Sequence, residues 1–344
     1  MTTNPKVLFI GGSLNQTTIL HQIAQQLPEC DRYFSPFYAD GLIGLLTRLG
    51  FTNFTILGGR HRQATERYLR EHHLSIDYGS KQRTYDLVVT CTDLLLPRNI
   101  LNTRLMLVQE GMLEAEDWRF NLVRTLNLPR YLANTAATGL SHAYHAFCVA
   151  SPGYRDLFIR KGVNPDKVIV TGIPNFDHAA GYLNNDFPHH DYILIATSAT
   201  RETLKFHDRK RFLQRVKALV VGRPMIFKLH PNENIDRATR EIRRYFPEVP
   251  IYTEGNLHHM IANCDMLIAQ NTSAIFTALA LGKPIHCDLD LSTLRRLMPI
   301  QNGGRSAERI AEVCRQLLQT PLAELNRRPL RAHFFPRWET QDLF

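Results

Sequence analysis

Residues 265–289 read DMLIAQNTSAIFTALALGKPIHCDL, and this stretch indicates the fold class of the chain. The apolar runs at 265–270 and 283–289 have the length of buried strands, and residues 272–281 between them have the length of a short helix. A strand followed by a helix and a second strand is typical of a parallel sheet. The stretch therefore predicts an α/β fold.

The same alternation of strands and helices continues along the rest of the chain. In the C-terminal half we predict further strands at YILIA (192–196), PMIFKL (224–229) and VPIYT (249–253), and helices near 205–221, 234–246, 257–264 and 306–319. In the N-terminal half we predict strands at KVLFIGG (6–12), FTILG (54–58), YDLVV (85–89), RLMLVQ (104–109), AFCVAS (146–151) and KVIVTG (167–172). Two such series predict two doubly wound, Rossmann-like domains, which we expect to face each other across a cleft.

The periodic pattern stops at residues 178–191, HAAGYLNNDFPHHD, where Gly, Asn and Pro gather as they do in interdomain linkers. We therefore predict an N-terminal, acceptor-side domain over 1–180 and a C-terminal, donor-binding domain over 186–320. The last residues, 321–344, contain many aromatic side chains, which predicts a tail that docks and crosses back to the first domain.

The composition is that of a globular protein with an anionic partner. The 344 residues are 44% hydrophobic and 21% charged, which suits two domains of ordinary size. The six cysteines are scattered without metal-ligand spacing, so we expect reduced thiols and no metal site. A net charge of +9 favours a nucleotide, a phosphorylated acceptor or an acidic membrane surface, and charge alone does not choose among them.

The N-terminal residues, MTTNPKVLFIGG, show no charged segment ahead of a long apolar run. No window reaches the roughly 18 apolar residues that a bilayer span needs. We therefore expect a cytoplasmic protein, with peripheral contact at the inner face of the membrane as an extension of its positive charge.

Polar residues follow four predicted strands of the second domain, and parallel sheets bind ligands at the carboxyl ends of their strands. The segments are IFKLHPNEN with Lys228, His230 and Pro231; QNTSA with Asn271, Thr272 and Ser273; ATSATRET with Thr197 and Arg201; and YTEG with Glu254.

Each of these segments suggests a contact with a nucleotide. Strand alternation puts Lys228 and His230 on one face, where both can meet an anion. A helix that starts near Thr272 offers N–H groups and hydroxyls to a phosphate, and Glu254 suits a ribose hydroxyl. The alternatives are a solvated lysine, a structural histidine and a simple helix cap.

In the first domain, GGSLNQTT (11–18) and RLMLVQEGM (104–112) are the candidate segments. Gly11 and Gly12 allow a ligand to approach the backbone, and Ser13 suits a helix cap, although a tight turn explains the same pattern. Glu110 ends a strand and is our candidate general base, with a structural pair to an arginine as the alternative. Asp93, in TCTDLLLP, is the second carboxylate candidate.

The order of the segments TGIPNFD (171–177), ATSATR (196–201), KLHP (228–231) and CDMLIAQNTSAIFTALALGKP (264–284) resembles the second domain of GT-B glycosyltransferases that build cell-surface polymers. The closest likeness is to bacterial sialyl- and polysialyltransferases, Kdo transferases and teichoic-acid polyol-phosphate transferases. The resemblance implies that His230, Pro231, Thr272 and Ser273 hold a donor nucleotide, with Lys228 as an auxiliary cation and His230 acting on the leaving phosphate.

The resemblance also implies the reaction. A sugar moves from a CMP- or CDP-linked donor, with UDP as the second candidate, to a hydroxyl of a cell-surface glycan or glycolipid. We expect neither a metal nor another cofactor, and no nucleic-acid partner. Polyol-phosphate relatives carry a histidine in Q-x-x-H-G near the place of Glu110, and an acidic-aromatic-Ser-Ser run where this chain has residues 270–273.

Three alternatives remain open at this point. UDP-sugar epimerases or hydrolases share the fold, although their S-G-G run is absent here. A polyol-phosphate transferase is the second, and a two-domain ligand-binding protein is the third.

Overall fold

The computed structural model describes residues 4–53, 55–113, 116–126, 128–198, 201, 208–231, 233–270, 272–332, 334, 336 and 338. The chain forms two compact units: unit 1 comprises Met1–Asp177 with Asn302–Phe344, and unit 2 comprises His178–Gln301. Each unit contains one parallel sheet with helices, which confirms the predicted α/β class with two doubly wound sheets.

The N-terminal part of unit 1 alternates strands and helices. In chain order they are β1 (Lys6–Gly11), α1 (Leu14–Gln25), β2 (Asp31–Pro36), α2 (Gly41–Arg48), α3 (Gly59–Glu71), β3 (Leu87–Thr90), β4 (Arg104–Val108), α4 (Trp118–Thr125), β5 (Ala146–Val149), α5 (Pro152–Lys161) and β6 (Val168–Val170). A 3₁₀ segment, Arg130–Ala137, lies between α4 and β5.

Unit 2 and the returning chain complete the series. Unit 2 contains β7 (Ile193–Ala196), α6 (Arg209–Leu219), β8 (Met225–Lys228), α7 (Ile235–Arg243), β9 (Ile251–Tyr252), α8 (Leu257–Asn263), β10 (Met266–Ala269), α9 (Ala274–Ala280), β11 (Ile285–His286) and α10 (Leu291–Leu297). The chain then returns to unit 1 with α11 (Ser306–Gln319) and α12 (Leu322–Leu325).

The unit 1 sheet has the order β2-β1-β3-β4-β5-β6, with all pairs parallel. All residues of β3 and β5 are buried, as expected for apolar, β-branched strands that are covered on both faces. Chain order reverses between β1 and β3, and such a switch point is where doubly wound sheets bind ligands. The loops that follow β1, β3 and β4 therefore belong to the candidate binding edge of unit 1.

The unit 2 sheet has the order β11-β10-β7-β8-β9, also parallel, and its switch point lies between β7 and β10. Ala196 at the end of β7 pairs with Ala269 of β10 on one side and with Lys228 of β8 on the other. The register therefore brings the residues that follow these three strands to one edge of the sheet.

The predicted strand FTILG is wrong, and the strand that takes its place in the sheet is β2. Residues 55–58 form turns, and Gly59 has a φ of +55° beside the carbonyl of Asn53, where a side chain does not fit. Strand β2 begins with Asp31 and Arg32 and ends in Pro36, so its sequence lacks the apolar run that identifies the other strands.

The return of the chain to unit 1 begins at Asn302 rather than at the predicted residue 321. The backbone N–H of Ser306 donates to Asp177 Oδ2 at 2.6 Å, and its hydroxyl donates to the carbonyl of Thr171 at 3.1 Å. Leu317 is fully buried. Helix α11, which the sequence analysis assigned to the second domain, is therefore part of the first.

We predict that Leu317→Ala weakens unit 1 selectively. Removing a buried leucine side chain costs about 2–5 kcal/mol, and α11 packs against α1, β3 and β4. Hydrogen exchange followed by mass spectrometry should show faster exchange in β1, β3 and β4 with β7 and β8 unchanged. Val216→Ala, at a fully buried position of α6, should give the reverse pattern. Faster exchange in unit 2 of the Leu317 variant would contradict the assignment.

Candidate functional site

The turn after β8 that contains the His-Pro pair is organised by a buried carboxylate, Glu233. Its side chain accepts a hydrogen bond from the backbone N–H of His230 at 3.0 Å and another from the hydroxyl of Thr197. It also forms an ion pair with Arg209 at the start of α6, and both partners are about 95% buried. The ends of β7 and β8 and the start of α6 are therefore fixed to one another.

Neither Glu233 nor Arg209 was among the site residues predicted from the sequence. The glutamate three residues after His230 was visible in IFKLHPNEN, but Arg209 stands among other basic residues, KFHDRKRF, which look like a solvated helix face. Only the fold shows which of these cations is buried.

Lys228 is directed at backbone oxygens. Its ammonium group donates to the carbonyl of Leu229 at 2.9 Å and to the carbonyl of Thr253 at 3.0 Å, and the residue is 6% exposed. Burial lowers the pKa of Lys228, and the nearby carboxylates of Glu233 and Glu254 oppose this shift. This geometry favours a structural role at the edge of the sheet, with its charge close to the His-Pro turn.

His230 and Pro231 lie nearer the solvent. His230 is half-buried and Pro231 is exposed, and both follow directly after β8 at the carboxyl edge of the sheet. Glu254 is exposed after β9 at the same edge. Their positions leave these three residues accessible to a ligand.

Thr272 and Ser273 stand between β10 and α9, and both are half-buried. Ser273 is the N-cap residue of α9, and its hydroxyl makes no capping bond, while the hydroxyl of Thr272 accepts weakly from the N–H of Ala274 at 3.4 Å. Asn271, the third predicted residue of this turn, lies outside the described residues. The turn between β10 and α9 thus presents two hydroxyls next to the switch point of the unit 2 sheet.

Thr197 and Arg201, which follow β7, are engaged within unit 2. Thr197 is 3% exposed, and its hydroxyl accepts from the N–H of His230 at 3.2 Å. The guanidinium of Arg201 donates two hydrogen bonds to the carboxylate of Glu241 in α7, from Nη1 to Oε1 at 2.9 Å and from Nη2 to Oε2 at 2.7 Å. Both residues support the edge of the sheet, and this geometry favours positioning over direct donor contact.

In unit 1, Glu110 is held by neutral donors from the start of α1. Its Oε1 accepts from the hydroxyl of Ser13 at 2.9 Å and from the amide of Asn15 at 3.3 Å, and its Oε2 accepts from the amide of Gln16 at 2.6 Å. Within the described ranges no ion pair involves Glu110, so the structural pair with an arginine that we considered as an alternative is not found. The half-buried carboxylate is oriented without being neutralised.

The glycine pair that follows β1 is explained by close packing. A Cβ on Gly11 would lie 2.7 Å from Thr17 Oγ1, and one on Gly12 would lie 2.7 Å from Ile56 Cδ1. The backbone N–H of Gly12 already donates to Gln16 Oε1 at 2.8 Å. The Ser13 hydroxyl accepts from the N–H of Gln16 and so caps α1 as predicted from its sequence position.

Asp93 is fully buried and holds a turn. Its two carboxylate oxygens accept from the backbone N–H groups of Gly139 at 2.9 Å and Ser141 at 3.0 Å. A substrate cannot reach this carboxylate without rearrangement of the turn. The geometry therefore favours a structural role over the catalytic role suggested by its position after β3.

An amide and hydroxyl cluster beside Glu110 was also missed. The amide of Asn175, from TGIPNFD, donates to Asn15 Oδ1 at 2.7 Å and to Thr18 Oγ1 at 3.1 Å, and Gln22 donates to Asn175 Oδ1 at 2.8 Å. Amides and hydroxyls both donate and accept, which suits the hydroxyls of a sugar. Asn175 is far from the three α1 residues in the sequence, and only the polar character of these side chains gave a signal.

Within the described residues, no cluster of His, Cys, Asp and Glu side chains has the arrangement that would hold a metal ion. In the same part of the chain, no helix combines the length and the hydropathy that crossing a bilayer requires.

No protein-family model matches the chain, and no curated protein matches it significantly. Solved structures do match it. The UDP-GlcNAc 2-epimerase from Neisseria meningitidis bound to UDP-GlcNAc aligns over 90% of this chain and 100% of its own, with 12% identity and a TM-score of 0.57. The wall teichoic acid polymerase TagF aligns over 93% and 90%, with 11% identity and a TM-score of 0.50. Anabaena HepE in complex with UDP aligns over 98% and 100%, with 13% identity and a TM-score of 0.50.

At these identities the likeness concerns the fold alone. The matching structures are GT-B fold proteins. Each alignment covers at least 90% of this chain and therefore includes both of its units. The resemblance stated from the motifs is thereby confirmed at the level of architecture: the chain has the GT-B fold.

Proposed function

We propose that this protein is a glycosyltransferase that moves a sugar from a nucleotide-activated donor to a hydroxyl of a cell-surface glycan or glycolipid. A CMP- or CDP-linked donor is our first candidate, and a UDP-linked donor is the second. The reaction takes place in the cytoplasm, at or near the inner face of the membrane, without a metal or another cofactor.

The observation that carries this proposal is the fixed His-Pro turn at the carboxyl edge of the unit 2 sheet. Glu233 holds the turn through the N–H of His230, and the register of β7, β8 and β10 brings it to the same edge as the hydroxyls of Thr272 and Ser273. Doubly wound sheets bind their ligands at this edge. The UDP-GlcNAc 2-epimerase and HepE structures with the same fold contain bound UDP-GlcNAc and UDP, which supports a nucleotide here.

The proposed chemistry uses the two units in different ways. The bond between the anomeric carbon and the donor phosphate oxygen breaks, and the nucleotide leaves with the electron pair. His230, Thr272 and Ser273 donate hydrogen bonds to this phosphate, each worth about 1.5–3 kcal/mol when the acceptor is charged. Lys228 adds positive charge from behind the turn, and Glu254 accepts from a ribose hydroxyl.

The acceptor hydroxyl forms the new bond to the anomeric carbon and gives its proton to Glu110. The donors from Ser13 and Gln16 keep this carboxylate in one orientation. The cluster of Asn15, Thr18 and Asn175 offers hydrogen-bonding groups to the acceptor sugar beside it.

This acceptor cluster is the observation that favours a transferase over a UDP-sugar epimerase or hydrolase, because those enzymes need no second sugar. Transfer of a polyol phosphate differs in the product, which keeps one donor phosphate. Mass analysis of the product therefore separates the proposed reaction from both alternatives.

We predict that CMP or CDP raises the melting temperature of the protein more than UDP, GDP or ADP does. His230→Ala should remove most of this shift because the phosphate loses a hydrogen-bond donor, with an affinity loss of about tenfold or more. His190→Ala, at an exposed position of unit 2, is the matched control and should behave as wild type. A nucleotide shift that survives in His230→Ala would remove this residue from the site.

We predict that Glu110→Gln lowers the rate of sugar transfer by about 100 to 10,000-fold, because general-base assistance has this size. Nucleotide binding, measured by calorimetry, should stay within about twofold of wild type since the proposed nucleotide contacts belong to unit 2. Glu71→Gln, at an exposed position in α3, is the control for loss of one carboxylate. Unchanged transfer by the Glu110 variant would show that another group takes the proton.

A further inference from the structure

Helix α4 of unit 1 exposes a stripe of apolar side chains. Trp118, Leu122 and Leu126 follow at intervals of four residues, the spacing of one helix face, and are 69%, 43% and 59% exposed. The adjoining 3₁₀ segment adds Tyr131 and Leu132, which are 41% and 48% exposed. Helix α4 and the 3₁₀ segment are in contact, and grouped exposed apolar side chains are typical of interaction sites. We call these five residues the α4 surface.

A cavity of about 300 Å³ is lined in part by other residues of α4, and its lining combines apolar and basic residues. Its apolar part includes Phe120 and Val123 from the buried face of α4. Its basic part consists of Arg124, Arg130, His142 and Lys161. The volume is at the lower end of the range for small-ligand sites, which suits a compact group such as a phosphate with its nearest atoms.

One of these cations is incompletely compensated. Arg130 Nε is buried and has no hydrogen-bond partner within the described chain, although another nitrogen of the same side chain reaches the carbonyl of Asp93 at 3.4 Å. An unpaired buried donor costs free energy that an anionic acceptor would recover. The basic cavity therefore contains a donor that lacks its acceptor.

Lys161 is the deepest cation of the cavity, at 5% exposure. Its ammonium donates to the carbonyl of Ala136 at 2.9 Å, and the partly exposed carboxylate of Glu116 is 3.7 Å away. Asp117, which follows Glu116 in the chain, accepts two backbone N–H groups at the start of α4. Burial lowers the pKa of Lys161, and the carboxylate of Glu116 opposes this shift.

A second cavity, of about 380 Å³, shares Arg130 with the first and is lined mainly by leucines. These are Leu94, Leu95, Leu96 and Leu101. Because Arg130 belongs to both linings, an apolar chain in this leucine groove would adjoin a charged group in the basic cavity. The pair of cavities thus matches a molecule with an anionic head and an apolar chain.

We propose that this face of unit 1 binds a bilayer that contains anionic phospholipids. The phosphate of one lipid occupies the basic cavity, part of its acyl chain lies in the leucine groove, and the α4 surface enters the membrane interface. Trp and Tyr side chains are enriched at that depth, and cations gain free energy near an anionic leaflet. The inference goes beyond the proposed sugar transfer and does not depend on it.

Sedimentation with phospholipid vesicles tests the proposal. The full chain should bind vesicles of phosphatidylcholine with phosphatidylglycerol and should not bind pure phosphatidylcholine. The double variant Arg124→Gln/Arg130→Gln should bind about 25-fold more weakly, since each cation near an anionic surface contributes about fivefold. Arg295→Gln/Arg296→Gln, at exposed positions of α10, removes the same charge from unit 2 and should change binding by less than about twofold.

Tryptophan fluorescence locates the contact, because the chain has only two tryptophans. Anionic vesicles should shift the emission to shorter wavelength, and Trp118→Phe should abolish the shift while retaining most of the binding. Leu122→Ser/Leu126→Ser should reduce binding, whereas Leu183→Ser/Val221→Ser, at exposed positions of unit 2, should not.

Three results would overturn the proposal: no binding to anionic vesicles, an equal loss in both arginine double variants, or an emission shift that persists in Trp118→Phe. Glycerol 3-phosphate tests whether the basic cavity binds a soluble phosphate compound instead of a lipid. If it raises the melting temperature of the wild type while vesicles do not bind, the basic cavity takes a free phosphate compound and the lipid assignment is wrong. Each variant is used only if its melting temperature matches that of wild type.

Discussion

The buried carboxylate of Glu233 is the constraint on which the candidate nucleotide site depends. A buried charge costs several kcal/mol unless it is paired, and Glu233 is paired with Arg209 and also accepts from the N–H of His230 and the hydroxyl of Thr197. These contacts can form together only when the ends of β7 and β8 and the start of α6 have one geometry. The His-Pro turn is therefore organised before a ligand arrives, which reduces the entropy that binding must overcome.

Glu110 in unit 1 shows the opposite use of a carboxylate. Its partners, Ser13 and Gln16, are neutral donors, which orient the side chain and add no positive charge. Asp93 gives a third case, since it is sealed in the core by two backbone N–H groups. All three carboxylates come after strands of parallel sheets, but their partners differ. Glu233 is paired with a cation and organises a turn, Glu110 is oriented by neutral donors as the candidate base, and Asp93 has a structural role in the core.

Sequence patterns predicted most strands because apolar, β-branched runs of four to six residues have few other stable arrangements in an α/β chain. They failed at β2, where Asp31, Arg32 and Pro36 hide the pattern, and at residues 55–58, which form turns instead of the predicted strand. The return of the chain at Asn302 was missed because α11 is amphipathic, and amphipathicity does not show which sheet a helix covers.

At the site, sequence predicted which residues stand at strand ends but not what their side chains contact. Parallel strands end at one edge, so His230 and Thr272 were expected there from the order of the elements alone. Lys228 and Arg201 were expected to meet a ligand, whereas the fold supplies them with the carbonyl of Thr253 and the carboxylate of Glu241. Such partners come from distant parts of the chain, and no local pattern encodes them.

The proposed function requires that a nucleotide binds at the carboxyl edge of the unit 2 sheet. Hydrogen exchange with and without saturating CMP, CDP or UDP measures this directly. The account predicts slower exchange in peptides that cover residues 228–234 and 272–276 for the nucleotide that binds. A nucleotide that binds with no protection in these peptides, or that protects only segments of unit 1, would contradict it.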